Sequence, residues 1–527
     1  MKSMPASSAW TTTRCAILIL LTLSSVAMTY RAGQRLGMSA SVSTRHAYYS
    51  LPYAVSHRYF GASGYVILRD VAELFVRTHP HITNATLALS TTLHPSPDRL
   101  MFFPGDDKGD ADFAILAFRI FGERIESLYY LWFAIYLAGV LAYAVVYRRH
   151  EARLVALCFL AFAIYAAFFA LPLTSELGSI HNPRAFGAVS LVAVLHLSVA
   201  MLDGQRLTTT RLGAALVQAT LIAFSVNVRS TEWWQVLTVA GVGAWVLARR
   251  HVGIKSLWPC AALAIALGGM DVYQRVAMDP AYQRSQLRHR VFWHNVGIGF
   301  ALNPVLARKY ALSIDDTPMI QLVRGRLMET GRASEIELVF RPPGQEDYQF
   351  SGIARDFVRY EQVAREVVLS IMRDNKREAL RTFVIDKPRL LVMQLAWAMG
   401  YHGYSIDDLH LAGQIGALAD ERSRATRSTY LNPFRPWVFC GLIATMLLGG
   451  VSQQRAGYDD LAFLSLWMCL MSVVPAMAAY PVISAIAPVL VTVPFLMLAL
   501  TAWLVSTGAA FATRRMPAWA PEIGVLL

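Results

Sequence analysis

The chain has 527 residues, of which 55% are hydrophobic and only 16% are charged, whereas an average soluble domain carries about 25% charged residues. A mean hydropathy of +0.41 over this length excludes an ordinary soluble protein and indicates many membrane spans rather than one anchor. The formal net charge of +13 would point to nucleic acid in a soluble protein. Here many basic residues flank apolar runs, and no nucleic-acid partner is expected.

Ten apolar runs follow one another along the chain and predict ten transmembrane helices. They cover residues 15–30, 127–147, 154–173, 185–202, 213–227, 233–248, 256–273, 436–452, 461–479 and 484–506. Several are shorter than the ~20 residues that a perpendicular span needs. We interpret the first run as an uncleaved signal anchor rather than a cleaved signal peptide, because Arg31 and Arg35 follow it directly.

The basic residues between these runs predict the orientation of the chain. If the amino terminus is cytoplasmic, 13 Lys and Arg residues lie at inside ends, and only Arg184 and Arg229 lie in short outside loops. The positive-inside rule then places both termini in the cytoplasm. We expect an integral protein of the bacterial inner (plasma) membrane, with the long segments 31–125 and 274–435 in the periplasm.

The predicted fold is an α-helical polytopic membrane protein with about ten transmembrane helices and an extracytoplasmic mixed, mainly helical domain. An N-terminal transmembrane module of about seven helices would cover residues 1–273 and include the outside loop 31–125. The extracytoplasmic domain would cover 274–435, and a C-terminal transmembrane module of about three helices would cover 436–527. We expect the two long outside segments to pack together, since each carries apolar clusters that need burial.

Two helices are predicted within or beside the long segments. An amphipathic helix is indicated from Phe357 to Ile371 by apolar residues that recur at helical spacing. The stretch from Leu390 to Met399 is too short to cross a membrane and is predicted to lie at the interface or dip into it.

An acidic cluster precedes the second apolar run. Asp106, Asp107, Asp110 and Asp112 come just before a predicted helix whose apolar positions are Phe113, Leu116, Ala117, Ile120 and Phe121. Capping and the helix dipole explain Asp110 and Asp112. Capping does not explain Asp106 and Asp107, and this adjacent pair is either a solvated turn or a functional pair that serves as a general base or holds a divalent cation.

The short outside loops and the start of the second long segment carry the other candidates. Arg229 either pairs with Glu232 or, together with Arg184, binds a lipid-linked phosphate; His181 lies in the same loop as Arg184. His289 and His294 are five residues apart, which does not suit a zinc pair on one helix. They are either structural or donate to a phosphate or to substrate hydroxyls.

The stretch from Asp106 to Ala117 resembles the first outside loop of GT-C type glycosyltransferases, in which an acidic pair precedes small and aromatic residues and an apolar helix. The resemblance covers the overall topology and about twenty residues. It implies a polytopic enzyme that takes sugars from polyprenyl-phosphate donors at the outer membrane face. It also implies that Asp106 or Asp107 is the catalytic base.

The leading hypothesis is therefore an inverting transfer of a sugar from a polyprenyl-phosphate donor to a periplasmic glycan, glycolipid or protein. The predicted substrate-binding residues are Arg184, Arg229, Glu232, His181, His289 and His294. No cofactor is required with certainty, and a divalent cation stays open. The alternatives are a transporter or flippase for a lipid-linked or amphiphilic substrate, and a non-catalytic membrane assembly subunit.

Overall fold

A computed structural model of the protein describes a large part of the chain. The described residues are 46–78, 82–103, 107–146, 186–187, 189–250, 254–284, 289, 291–314, 316–340, 356–391, 455–478, 489 and 492. The predicted runs at 15–30, 154–173 and 436–452 lie outside them, as do almost all of the run at 484–506 and most of the stretch Leu390–Met399.

The described residues are mainly helical. The helices are α1 (Leu51–Phe60), α2 (Arg69–Thr78), α3 (Asn84–Thr91), α4 (Gly109–Phe121), α5 (Ile125–Val146), α6 (Leu191–Leu202), α7 (Thr209–Val228), α8 (Trp233–Arg250), α9 (Trp258–Ala277), α10 (Pro280–Arg284), α11 (Trp293–Gly299), α12 (Pro304–Tyr310), α13 (Asp316–Glu329), α14 (Ile336–Val339), α15 (Phe357–Asp374), α16 (Lys376–Arg381) and α17 (Arg455–Ala478). The strands β1 (Val66–Leu68) and β2 (Leu100–Phe102) form an antiparallel pair in which Val66 faces Phe102.

Three helical stretches in the described part are long and apolar enough to cross a membrane. They are Ile125–Tyr143, Thr209–Val228 and Ile254–Ala277, and two shorter apolar helices cover Leu191–Leu202 and Phe463–Pro475. These helices support a membrane protein. The count of ten spans, the side of the membrane on which each loop lies and the three-module division stay predictions.

Helices α5 to α9 and α17 pack through one apolar core. The amide of Gln218 on α7 donates to the carbonyl of Gly139 on α5 at 2.6 Å, so α7 lies directly against the middle of α5. The rings of Trp245 on α8 and Phe463 on α17 stack at 4.5 Å. Small residues allow this close approach of apolar helices: Gly241 lies against Trp467, where a β-carbon would collide with the indole.

A second apolar core joins the two long segments. Tyr65 and Phe103 of the first segment pack with Tyr282 of the second, whose hydroxyl donates to the carbonyl of Phe103 at 2.5 Å. The buried face of α15 faces the same core, and the side chain of Asp356 caps this helix by accepting from the N–H of Arg359 at 3.0 Å. The predicted amphipathic helix and the predicted packing of the two segments are confirmed.

The helix predicted after the acidic cluster is also present, but its exposed and buried faces differ from the expected ones. Phe113 and Ala117 of α4 are buried against the first core, whereas Leu116, Ile120 and Phe121 are exposed. In an amphipathic helix of a soluble protein these three would be covered. Apolar residues on the exposed face are typical of a helix that contacts lipid with that face.

Candidate functional site

The structure describes five of the predicted site residues. Asp107 and Arg229 come together, Glu232 lies buried three residues beyond Arg229, and His289 and His294 belong to the second long segment. Asp106, His181 and Arg184 lie outside the described residues.

Asp107 and Arg229 form an ion pair at the end of α7. The guanidinium of Arg229 donates to Oδ2 of Asp107 at 2.7 Å, and the backbone N–H of Ser230 donates to Oδ1 at 2.9 Å. The carboxylate is fully buried, and the Arg229 side chain is 14% exposed. Both oxygens of Asp107 therefore bind the turn after α7, and the pair holds the start of α4 against that turn.

Glycine at position 109 makes this approach possible. A β-carbon on Gly109 would lie 2.5 Å from the backbone nitrogen of Val228, closer than real β-carbons come to other atoms. The first turn of α4 consequently packs backbone to backbone on the last turn of α7. The same contact carries Asp112, one turn further along α4, to the ends of α7 and α9.

Asp112 lies in a cluster of uncharged donors. The hydroxyl of Tyr65 donates to both carboxylate oxygens at 3.0 Å. The hydroxyl of Tyr273 on α9 and the amide of Asn227 on α7 each donate to one oxygen at 3.3 Å. Asp112 is half-buried, and its side chain binds three distant segments rather than the backbone at the start of α4.

This environment changes the acidity of Asp112. Burial raises its pKa to about 6, against the lowering effect of the hydrogen bonds from Tyr65, Tyr273 and Asn227. Burial, followed by the nearby charge of Asp112, also raises the pKa of Tyr65 far above its usual range. Tyr65 therefore stays a neutral donor while Asp112 changes charge near neutral pH. A partly buried carboxylate with such a pKa has the property required of a general base.

Glu232 occupies a separate buried network beneath Arg229. Its Oε2 accepts from the indole N–H of Trp234 at 2.7 Å and from the amide of Gln235 at 2.9 Å. Gln235 in turn accepts from the hydroxyl of Ser190 at 2.7 Å. Burial raises the pKa of Glu232 to about 7. With 1% exposure this carboxyl lies against the first turn of α8 and Gly187, and it does not face an open space.

His294 connects three helices of the second core. Its Nδ1 lies 2.6 Å from the hydroxyl of Tyr360 on α15, and its Nε2 lies 3.0 Å from Oδ1 of Asp316 on α13. The ring is 1% exposed, and this arrangement fits the structural alternative for His294. His289 is half-buried in the loop before α11. Among the described residues no group of three or more His, Cys, Asp or Glu side chains is arranged to hold a metal ion.

The sequence did not single out the donors around Asp112. Tyr65, Asn227 and Tyr273 lie 47, 115 and 161 residues away from it. One signal was available: Asn227 and Tyr273 are the last residues of the apolar runs 213–227 and 256–273. Polar side chains at the same ends of two spans that run in parallel can meet one carboxylate, as these do.

Comparisons of the chain with family models, with curated proteins and with solved structures find no match.

Proposed function

We propose that the protein is a membrane glycosyltransferase that moves a sugar from a polyprenyl-phosphate donor to an extracytoplasmic glycan, glycolipid or protein, with Asp112 as the general base. The observation that carries the proposal is the placement of Asp112. It is a partly buried carboxylate at the ends of two candidate spans, surrounded by neutral donors, and its pKa is raised to about 6. The resemblance to GT-C enzymes supports the same reaction class.

In this reaction the acceptor hydroxyl replaces one of the two longer contacts of Asp112, those of Tyr273 and Asn227 at 3.3 Å. The carboxylate takes the hydroxyl proton as the acceptor oxygen attacks the anomeric carbon. The bond between that carbon and the phosphate oxygen breaks, and the lipid phosphate leaves with the electron pair. The hydrogen bonds from Tyr65 keep the carboxylate oriented during proton transfer.

Asp107 has a different part in this proposal. Its oxygens are already engaged by Arg229 and Ser230, so it positions the first turn of α4 and thereby Asp112. Asp106 stays the other candidate base from the acidic pair.

The test is transfer from radiolabelled polyprenyl-phosphate hexoses by the full chain in lipid nanodiscs, with an envelope extract as acceptor. Asp112→Asn should lower the rate by ~10² to 10⁴, as expected for loss of a general base. Asp203→Asn is the matched control. Asp203 is an exposed carboxylate that directly follows the C-terminal end of α6, and its substitution should leave the rate unchanged.

Asp106→Asn and Asp107→Asn separate the remaining possibilities. Loss of transfer in Asp106→Asn with full transfer in Asp112→Asn would move the base to the acidic pair. Full transfer in all three variants would overturn the carboxylate mechanism. Failure of every hexose donor with the unaltered protein would overturn the polyprenyl-phosphate donor class.

One observation favours a transporter as the second candidate. His196 on α6 and Gln218 on α7 are buried within the bundle, 3.1 Å apart, and buried polar groups within spans are typical of transport pathways. A transporter would move a labelled polyprenyl phosphate across proteoliposomes in the Asp112→Asn variant and would lose this movement in His196→Phe. A glycosyltransferase would show neither behaviour.

A further inference from the structure

A cavity of about 230 Å³ lies between α1 and α4, apart from the Asp112 cluster. Its lining residues are Ala54, His57, Arg58, Ile115, Phe118 and Arg119. The floor is apolar and the rim carries two guanidinium groups and one imidazole. Pockets that enclose a whole drug-sized ligand usually measure ~300–1,000 Å³, so this one suits a head group rather than an entire ligand.

The rim holds Arg119 in a defined place. Nδ1 of His57 lies 2.8 Å from the carbonyl of Ala62, which assigns the ring proton to Nδ1. The other ring nitrogen then accepts from the guanidinium of Arg119, at 3.3 Å. Arg58 has a carboxylate partner in Glu123, whereas Arg119 contacts the imidazole of His57. The rim therefore keeps an excess of positive charge, which suits an anion.

The surroundings of Arg119 favour an anion that carries an apolar chain. Leu116 and Ile120 flank Arg119 on α4 and are 38% and 56% exposed. The next residue, Phe121, is 37% exposed and packs edge-on against the ring of Tyr130 at the start of the candidate span. An anion bound at Arg119 would thus have an open apolar surface next to it for a hydrocarbon chain.

The cavity is also connected to Asp112. Ile115 and Arg119 follow Asp112 by three and seven residues, so all three lie on one face of α4. Arg119 lies about 10 Å along the helix from Asp112. Stacked rings connect the cavity to the Asp112 cluster. His57 stacks on Tyr53 at 6.0 Å, and Tyr53 stacks on Tyr65 at 5.5 Å.

We propose that this cavity binds the phosphate group of a membrane lipid, with the guanidinium of Arg119 as its main ligand and the chain of the lipid lying over Leu116 and Ile120. A planar, permanently charged guanidinium is the side chain best suited to bind phosphate oxygens. The inference that the ligand is a phosphate with a hydrocarbon chain depends only on the cavity and its surroundings. That the lipid is the sugar donor rests on the proposed function, and in that case the sugar would extend along α4 toward Asp112.

The test measures binding without transfer. The full chain is placed in neutral-lipid nanodiscs with a graded content of polyprenyl phosphate, and bound lipid is counted by native mass spectrometry. Arg119→Gln should weaken binding by roughly tenfold or more, the effect expected for loss of a charge-assisted hydrogen bond. Arg124→Gln is the matched control, because Arg124 is an exposed arginine on the following turn outside the cavity lining and its substitution should leave binding unchanged.

Two further arms identify the source of the phosphate and remove dependence on the folding of a variant. Inorganic phosphate that displaces the lipid at equal concentration would show a site for the free anion and would overturn the lipid proposal. A photoactivatable polyprenyl phosphate should label α1 and α4 in the unaltered protein. Labelling confined to other helices, or equal binding in Arg119→Gln and Arg124→Gln, would overturn it as well.

The outcomes separate this site from the proposed function. Loss of binding in Arg119→Gln while Asp112→Asn keeps full transfer would retain the lipid site and reject Asp112 as the base. Unchanged binding in Arg119→Gln while Asp112→Asn abolishes transfer would reject the lipid site and retain the base.

Discussion

Asp107 and Asp112 belong to the same acidic stretch, yet the two regions around them are chemically opposite. Asp107 is fully buried against the guanidinium of Arg229 and the N–H of Ser230. Asp112 is half-buried among hydroxyl and amide donors that carry no charge. A carboxylate matched by a cation has its charge balanced and holds segments together. A desolvated carboxylate among neutral donors keeps its proton to a higher pH and can exchange it.

The comparison shows that a run of acidic residues is not one site. Gly109 separates the two carboxylates and lies against the backbone of Val228. Asp107 is therefore directed to the turn after α7, and Asp112, on the following turn of α4, is directed to the space between Tyr65 and Tyr273. The close approach of two helix ends divides the acidic stretch into a structural part and a chemically adaptable part.

Removing the charge of Asp107 should produce the largest effect on stability. Asp107→Asn leaves the buried guanidinium of Arg229 without its counter-charge, and loss of one member of a buried pair typically costs about 3–5 kcal/mol of unfolding free energy. Denaturant unfolding in nanodiscs would measure it. Asp271→Asn is the control, since Asp271 pairs with Arg275 in an exposed position and such pairs contribute roughly 0–1 kcal/mol.

A double-mutant cycle makes this prediction specific. Asp107→Ala combined with Arg229→Ala should recover part of the loss, because the second change removes the unpaired cation. A cost for Asp107→Asn no larger than that of Asp271→Asn would mean that the two acidic environments are equivalent in energy, and the comparison would fail.

Replacing Gly109 should disturb both carboxylates at once. The β-carbon of alanine would meet the backbone of α7, and overpacking of a close contact typically costs about 1–3 kcal/mol. Because α4 must shift as a unit, Gly109→Ala should lower both the unfolding free energy and the transfer rate. Gly213→Ala on α7 is the control, because nothing lies within 4 Å of a β-carbon there. Equal behaviour of the two alanine variants would contradict the proposed contact.

Local sequence patterns predicted the helices in which the spacing of apolar residues determines the buried face. The face of α15 from Phe357 to Ile371 is buried as the spacing of its apolar residues indicates. The apolar runs near α5, α7 and α9 form helices that are long and apolar enough to cross a membrane. The exposed side of α4 was not predicted, because the spacing of apolar residues alone does not distinguish exposed apolar positions such as Leu116 and Ile120 from buried ones.

The candidate site was predictable only in part. Sequence reasoning offered Glu232 as the ion-pair partner of Arg229, and the structure pairs Arg229 with Asp107 instead. The Asp112 cluster depends on Tyr65 and Tyr273, which are distant in sequence and carry no local pattern. Only the packing of α4 on α7 and α9 brings them together, and this tertiary contact has no signature in a single sequence.

The transfer rate and the stability should depend on pH in opposite directions through the ionisation of Asp112. The proposed transfer needs its carboxylate form, so the rate should fall about tenfold per pH unit below its pKa of about 6. The stability contribution has the opposite sign: because folding raises this pKa, the contribution is full below the unfolded value and is lost as pH rises through about 6. Glu232, with a pKa near 7, adds a similar stability trend.

Asp112→Asn distinguishes these contributions. It should remove the acid limb of the rate profile and the part of the stability change due to Asp112, while the part due to Glu232 remains. An acid limb that persists in the residual activity of Asp112→Asn, at the same pH, would assign the titration to another group.

The smallest predicted effect concerns the two tyrosines that donate to Asp112. Tyr65→Phe removes a hydroxyl that stabilises the ionised carboxylate, so the pKa of Asp112 should rise and the acid limb should move to higher pH. The shift should be about one pH unit or less, since a neutral hydrogen bond contributes ~0.5–1.5 kcal/mol. Tyr273→Phe makes the same chemical change at a contact of 3.3 Å instead of 3.0 Å. Tyr273 is 50% exposed, so water can replace its hydroxyl and the limb should move less. Rate profiles of the two variants, measured side by side, provide the comparison. A larger shift for Tyr273→Phe, or a shift to lower pH in either variant, would show that the neutral donors around Asp112 do not set its acidity.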